Sequence, residues 1–180
     1  MSGGLGWLHM STVVVDVPRT LYEEAVRRGL NVEELLITTL IKVLNLDPEV
    51  AVRARLELAV KYLNEGRDLI DKDPVQASEK LYKAAEEVVK ALAMHYDLRD
   101  VLARVEGRGR WIVIDLARAV ASIADRLGKW FEGAWDAANY LHVWGFHEAK
   151  LDSELVRRRL PDIKRMVQEA QKVVINEGRA

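Results

Sequence analysis

Apolar residues from Pro48 onwards recur at intervals of three or four positions, the spacing that places them on one face of an α-helix. The stretches that carry this pattern each predict one amphipathic helix, and they are Pro48–Asp71, Val75–Tyr96, Trp111–Leu127 and Ala134–Asp152. A further helical pattern follows, and we expect it to be interrupted near Pro161 because proline lacks the N–H of an interior helical position. Consecutive helices with short connections favour an all-α fold, an antiparallel helical bundle.

Two boundaries within this part are predicted from capping and turn residues. Asp73 is a good N-cap residue, Pro74 suits the first helical position, and Gln76 stands where a capping box would close. The segment from Asp97 to Arg110 is polar and contains two glycines, so we expect a connecting loop there.

A different pattern precedes Pro48. Ser11–Pro18 is rich in β-branched residues and predicts a strand, Arg19–Gly29 predicts a short helix, and Asn31 caps a second helix. This order resembles a ribbon–helix–helix unit. Because a lone strand has unpaired edges, we predict a homodimer in which residues 11–18 of two chains form an antiparallel ribbon.

The outward face of such a ribbon would carry Thr12, Val14 and Asp16. Major-groove readout mostly uses Arg, Lys, Asn or Gln, and Glu33 and Glu34 at the start of the second helix would repel phosphate. We therefore expect this element mainly to dimerise, with intramolecular packing and DNA reading as the alternatives.

These patterns divide the chain into three parts. Residues 1–9 are Gly-rich and without period, and we predict a disordered leader. Residues 10–46 form the ribbon–helix–helix-like dimerisation element, and residues 47–178 form the helical bundle.

Composition narrows the classes of function. The formal net charge is -1, which argues against a basic footprint for nucleic acid over the whole protein. The chain has no cysteine, so disulfides, Cys-based zinc sites and thiol catalysis are excluded. The absence of cysteine fits a reducing cytoplasm, and we expect a cytoplasmic protein. We expect no membrane-spanning segment, since no apolar run is long enough to cross a bilayer.

Four separated motifs occur in order: DPVQASEKLYKAAEEVVKALA (Asp73–Ala93), GRW (Gly109–Trp111), AWDAANYLHVWGFHEAKLD (Ala134–Asp152) and VRRRLP (Val156–Pro161). With these motifs, and from Ser11 onwards, the chain resembles the archaeal PaREP family, first class. The resemblance implies a bundle similar to HEPN domains and to the C-terminal helical domain of kanamycin nucleotidyltransferase. Members of that wider group bind nucleotides, act as partners of small nucleotidyltransferases in toxin–antitoxin pairs, or cleave RNA without a metal.

The RNA-cleaving members of that group carry an arginine and a histidine with four to six residues between them. No arginine stands at that distance before His95, His142 or His147. The sequence therefore departs from the nuclease pattern, and inherited RNA cleavage is in doubt.

The motif around the histidines contains the candidate chemistry. On an α-helix His142 shares a face with Trp135, Ala138, Phe146 and Ala149, so we interpret it as a buried histidine bonded to a backbone carbonyl or to a carboxylate across the bundle. An α-helix would separate His142 and His147 by about 140°, so we predict no metal site and no cofactor. We interpret the helix-interior Gly145 as a point of close approach by another helix, with the Ala-rich face at Ala84, Ala85 and Ala91 as the candidate.

The predicted ligand cleft is lined by Tyr82, Glu86, Trp111, His142, His147 and Glu148. Of these, His142, His147 and Glu148 are also the catalytic candidates. Lys83, Glu86, Glu87 and Lys90 would form a polar pocket if they approached the histidine helix, but we favour a solvated helix face with ion pairs four residues apart. Arg157, Arg158 and Arg159 are a weak candidate for nucleic-acid contact.

We favour a non-enzymatic binding or interaction module, with a nucleotide or nucleic-acid-related ligand and a nucleotidyltransferase as a possible partner. The alternatives are a metal-independent RNA-cleaving enzyme that uses His142 or His147 as general base, and a DNA-binding regulator that works through the N-terminal ribbon.

Overall fold

A computed structural model describes residues 13–177 of the chain. These residues form helices, turns and loops but no strand, which confirms the all-α class. The chain divides between Asp47 and Pro48 into two compact units. The predicted leader, residues 1–9, lies outside the described residues.

The N-terminal unit contains α1 (Arg19–Arg27) and α2 (Val32–Val43). Gly29 ends the first helix with a φ of 70°, a left-handed conformation that glycine adopts at low cost. Asn31 caps α2 as predicted, because its side chain accepts a hydrogen bond of 3.0 Å from the Glu34 N–H. Residues 13–18 have no regular secondary structure, and a ribbon made by two chains stays a prediction.

The C-terminal unit is built around one central helix. Its elements are α3 (Pro48–Leu69), α4 (Pro74–His95), α5 (Arg99–Arg108), α6 (Val113–Leu127), α7 (Trp130–Tyr140), a π-helix (Leu141–His147), α8 (Ser153–Arg157) and α9 (Leu160–Glu177). Helix α4 packs against α3, α6, α9 and the π-helix. Its alanine-rich sequence allows these neighbours to approach closely, and most of its residues are buried.

The start of α4 agrees with its sequence signal in the N-cap and in the proline of the first turn, but not in the capping box. The Asp73 side chain accepts a hydrogen bond of 3.0 Å from the Gln76 N–H, so Asp73 is the N-cap. The Asp73 N–H donates instead to the Leu69 carbonyl at 2.8 Å. This bond occupies the donor that a capping box would need, so Gln76 does not close one.

The predicted loop between Asp97 and Arg110 is wrong, because most of it forms α5. Val101 is buried on this helix, and Leu102 and Val105 pack against the core. Gly109 then ends the helix with a φ of 78°. The predicted interruption near Pro161 is confirmed, since α8 ends at Arg157 and α9 begins at Leu160.

Candidate functional site

The π-helix brings His142 and His147 together, although α-helical geometry would separate them. A π-helix closes its hydrogen bonds between residues five apart, and the Glu148 N–H donates in this way to the Val143 carbonyl at 2.9 Å. His142 and His147 are also five positions apart, and their Nε2 atoms lie 3.1 Å from each other. The predicted divergence of the two rings is therefore wrong, because the segment does not have the α-helical period.

Gly145 allows this segment to lie directly on α4. A Cβ at this position would stand 2.2 Å from the Ser78 Oγ and 2.5 Å from its Cβ. Close approach by another helix is thus the reason for the glycine, as predicted, but the contact is Ser78 rather than the alanines further along α4. The adjoining Ala149 has a φ of 50°, a left-handed conformation that normally favours glycine. Ala149 is exposed, so it is not part of the predicted packing face.

Two residues of α4 hold the imidazole of His142. Its Nδ1 lies 2.9 Å from the Glu79 Oε2, which confirms a carboxylate partner across the bundle. The Tyr82 ring stacks on the imidazole with a centroid distance of 4.0 Å and an angle of 22°. His142 is half-buried rather than buried, with 27% of its side chain exposed.

The hydrogen bond to Glu79 determines where the hydrogens of the histidine pair lie. An ionised carboxylate only accepts, so the Nδ1 of His142 carries a hydrogen and donates. In a neutral ring the Nε2 of His142 is then an acceptor, and the Nε2–H of His147 donates to it. The pair therefore forms a relay from Glu79 through His142 to the exposed His147.

Charged side chains further along α4 form a network of ion pairs that reaches Arg55 of α3. Lys90 is 2.6 Å from Glu86 and 3.1 Å from Glu87, and Arg55 is 2.8 Å from Glu87. Lys90 and Glu87 are only 1% and 4% exposed, so the interpretation of these residues as a solvated face is wrong. Glu86 does pair with Lys90 four residues later, but Lys90 is buried inside the protein rather than exposed to solvent.

Tyr82 connects this network of ion pairs to the histidine pair. Burial raises the pKa of Tyr82 above its ordinary value of 10.0, and the charges of Glu86 and Glu79 and a hydrogen bond to Glu86 raise it further. The phenol therefore stays protonated, while its ring face holds His142.

The predicted site residues fall into two groups. Tyr82, Glu86, His142 and His147 form one connected cluster, which we call the histidine site together with Glu79. Trp111 lies between α5 and α6 and packs against the core, and Glu148 is exposed at the end of the π-helix. Glu79 was not predicted, although it lies on the same face of α4 as Tyr82 and Glu86 at spacings of three and four.

The arginines of the predicted nucleic-acid cluster already have partners within the chain. Arg157 bonds Asp71, Arg158 lies 2.9 Å from Glu154, and Arg159 stacks over the Tyr140 ring at 4.0 Å. A phosphate would have to compete with these contacts.

Residues 13–177 contain neither a cluster of three or more metal-binding side chains nor a membrane-spanning helix. No group of three or more His, Cys, Asp or Glu side chains is placed to hold a metal ion. No helix within that range is both long and apolar enough to cross a membrane.

Comparisons with known proteins place the similarity in the C-terminal unit. The sequence profile described as Archaeal PaREP1/PaREP8 family matches residues 54–167. A crystal structure of a Sulfolobus solfataricus protein is 34% identical, covers 63% of this chain and 93% of its own, and superposes with a TM-score of 0.59. A solution structure of the same target gives 34% identity, 62% and 87% coverage, and a TM-score of 0.56. No curated protein matches the chain.

Proposed function

The chain belongs to the archaeal PaREP1/PaREP8 family, and we propose that its helical bundle is a non-enzymatic binding module for a nucleotide or nucleic-acid-related ligand. The observation that carries the proposal is the exposed His147 imidazole, 3.1 Å from a second imidazole that Glu79 and Tyr82 hold in place. Such a preorganised polar group at the surface loses little side-chain freedom when a ligand binds.

The chemistry of the histidine site suits a phosphate-bearing ligand. In the neutral pair the Nε2–H of His147 donates to His142, so a phosphate oxygen would accept from the Nδ1–H that His147 gains when its ring is protonated, and such charge-assisted bonds are the stronger ones. Trp144 and Val143 of the π-helix are exposed next to the histidines in sequence and offer apolar surface to a base. Bases commonly stack on exposed aromatic rings.

Thermal unfolding in the presence of nucleoside mono-, di- and triphosphates and short RNA oligonucleotides tests the proposal. We expect one of these ligands to raise the Tm of the wild type, since saturation at 100 times Kd stabilises by about 2.7 kcal/mol. His147→Gln should lose this shift. His95→Gln, which removes a histidine at the far end of α4, should keep it.

The proposal is wrong if no ligand raises the Tm of the wild type. It is equally wrong if His147→Gln and the wild type shift alike.

A second candidate function, metal-independent RNA cleavage, is favoured by the hydrogen bond between Glu79 and His142. A carboxylate that fixes the tautomer of a histidine is a common arrangement in general-base catalysis. RNA incubated with the wild type in EDTA should then be cleaved, and His142→Ala and His147→Ala should abolish the cleavage. Equal cleavage by all three proteins, or none by the wild type, rules this candidate out.

We also propose two finer features that the family resemblance implies, an antiparallel HEPN-like bundle and a nucleotidyltransferase partner, and a cytoplasmic location, which fits the absence of cysteine. Identifying the neighbouring gene and, where it encodes a nucleotidyltransferase, co-expressing the two proteins tests the partner. A stable complex on gel filtration is the expected result, and separate elution of the two proteins at micromolar concentration would contradict it.

A further inference from the structure

We propose that His142 and His147 together bind a divalent first-row transition cation through their Nε2 atoms. The two nitrogens lie 3.1 Å apart. Two imidazole nitrogens that share one tetrahedral zinc ion, each at 2.0–2.1 Å from it, stand about 3.3 Å apart. A cation therefore fits with small rotations of the exposed His147 ring and no change of backbone.

His142 is already oriented as a metal ligand. Metal-binding histidines usually donate their second N–H to a carboxylate, which fixes the tautomer and raises ligand basicity. Here the Nδ1 of His142 donates to Glu79 at 2.9 Å, so the lone pair of its Nε2 points away from α4. The stack with Tyr82 limits rotation of the ring.

His147 requires only a change of tautomer. In the neutral pair its Nε2 carries the hydrogen that is shared with His142. When that hydrogen moves to its Nδ1, through solvent, both Nε2 lone pairs face the same point. Two neutral imidazoles then bind the cation with no net release of protons.

The remaining coordination positions would be open. Within residues 13–177 no third His, Cys, Asp or Glu is placed to complete a metal site, so water or a ligand oxygen would fill these positions. The site would therefore bind weakly and exchange readily. A bound cation would also offset the negative charge of Glu79 and Glu86, and could receive a phosphate oxygen of the proposed nucleotide.

Calorimetric titration of the tag-free, EDTA-treated protein with NiCl₂ or ZnCl₂ alone tests the inference. We expect one saturable site in the wild type and in His95→Ala, and loss of that site in both His142→Ala and His147→Ala. Glu79→Gln should weaken binding by about 10–100-fold, as is usual when the partner of a metal-binding histidine is changed. Circular dichroism of each variant checks that it is folded.

A spectroscopic measurement distinguishes a two-histidine site from scattered surface binding. In electron paramagnetic resonance, the Cu²⁺ complex of the wild type should show hyperfine couplings from two imidazole nitrogens. The complex of His147→Ala should show coupling from one nitrogen or none. The inference is overturned if the wild type binds no metal at millimolar concentration, or if both histidine variants bind as tightly as the wild type.

The nucleotide proposal can fail separately. A nucleotide that raises the Tm in EDTA supports binding without a metal, whatever the calorimetry shows. Saturable metal binding without any nucleotide effect leaves the cation site intact and removes the proposed function.

Discussion

Replacing Gly145 by alanine adds one methyl group and shows how tightly the π-helix packs on α4. Gly145→Ala places a Cβ within 2.2 Å of the Ser78 Oγ, so a helix must shift. We expect a loss of about 1–3 kcal/mol in the free energy of unfolding, the usual cost of overpacking. Urea denaturation measures it.

Gly133→Ala is the matched control. Gly133 lies inside α7 with no atom within 4 Å of its added Cβ, so the same change should stabilise by about 0.5–1 kcal/mol. Adding Ser78→Gly to Gly145→Ala should recover part of the loss. A Gly145→Ala protein as stable as the wild type would show that α4 does not hold the π-helix in this way.

Tyr82 predicts a specific dependence of stability on pH. Near neutral pH Tyr82→Phe should be about 0.5–1.5 kcal/mol less stable than the wild type, because the buried phenol loses its interaction with the Glu86 carboxylate. The folded protein raises the pKa of Tyr82 above 10.0, so above that pH the phenol ionises in the unfolded chain before it ionises in the folded protein. The advantage of the wild type is therefore complete below pH 10.0 and decreases above it.

The slope is about 1.4 kcal/mol per pH unit once the unfolded phenol is fully ionised. Urea unfolding of both proteins at pH 8 and near pH 11 measures the difference. The remaining tyrosines and the lysines are common to both proteins and cancel in the comparison. A gap that stays constant or widens with pH would mean that Tyr82 is not held protonated.

Among the elements, α4 carries the buried ion pairs of Lys90 with Glu86 and Glu87. Lys90→Met should destabilise by about 3–5 kcal/mol, because the buried Glu87 then loses one of its cations and the half-buried Glu86 loses its partner. Lys172→Met removes an exposed partner of Glu169 and should cost about 0–1 kcal/mol. Chemical denaturation measures the free energy of unfolding of both variants. An equal loss in Lys90→Met and Lys172→Met would contradict a buried network of ion pairs around Lys90.

The elements differed in how well the sequence predicted them, for physical reasons. Helix α4 has a capping residue at Asp73 and a long periodic pattern, so its start could be predicted. Helix α5 could not, because its charged residues and Gly107 outweighed a short apolar pattern. The π-helix differs from an α-helix by one residue per hydrogen-bonded ring, a change that no residue type signals, and only Gly145 indicated unusual packing.

For the same reason the histidine site was predicted only in part. Tyr82, Glu86, His142 and His147 were identified, but their convergence depends on the π-helical period. Glu79 was not predicted, and Lys90 was taken for a member of a surface pair because Glu86, four positions earlier, carries the opposite charge. Which of several carboxylates meets a histidine is decided by the packing of two helices, and a single sequence does not contain that information.

At the scale of the whole molecule, the open question is the predicted homodimer through residues 11–18. Val13 and Val14 are 87% and 88% exposed, as expected for a segment that pairs with a second copy. Deleting residues 10–18 should halve the native mass measured by light scattering, and deleting residues 1–9 should leave it unchanged. An unchanged mass after the first deletion would reject the ribbon.

The alternative of DNA reading belongs to the same N-terminal unit. The family match begins at residue 54 and does not include this unit. Salt-dependent DNA binding that disappears when residues 1–45 are deleted would favour a regulator. We expect no such binding, because Asp16, Glu33 and Glu34 would face the phosphates.

The π-helix also bears on how relatives of this chain can be compared. A π-helix closes its hydrogen bonds over one residue more than an α-helix, and Leu141–His147 is π-helical. In a relative that is one residue shorter here and α-helical, the second histidine would be turned by about 100° about the helix axis, and the two sequences would align with a one-residue gap. That gap would separate the members that can pair two histidines from those that keep only the fold.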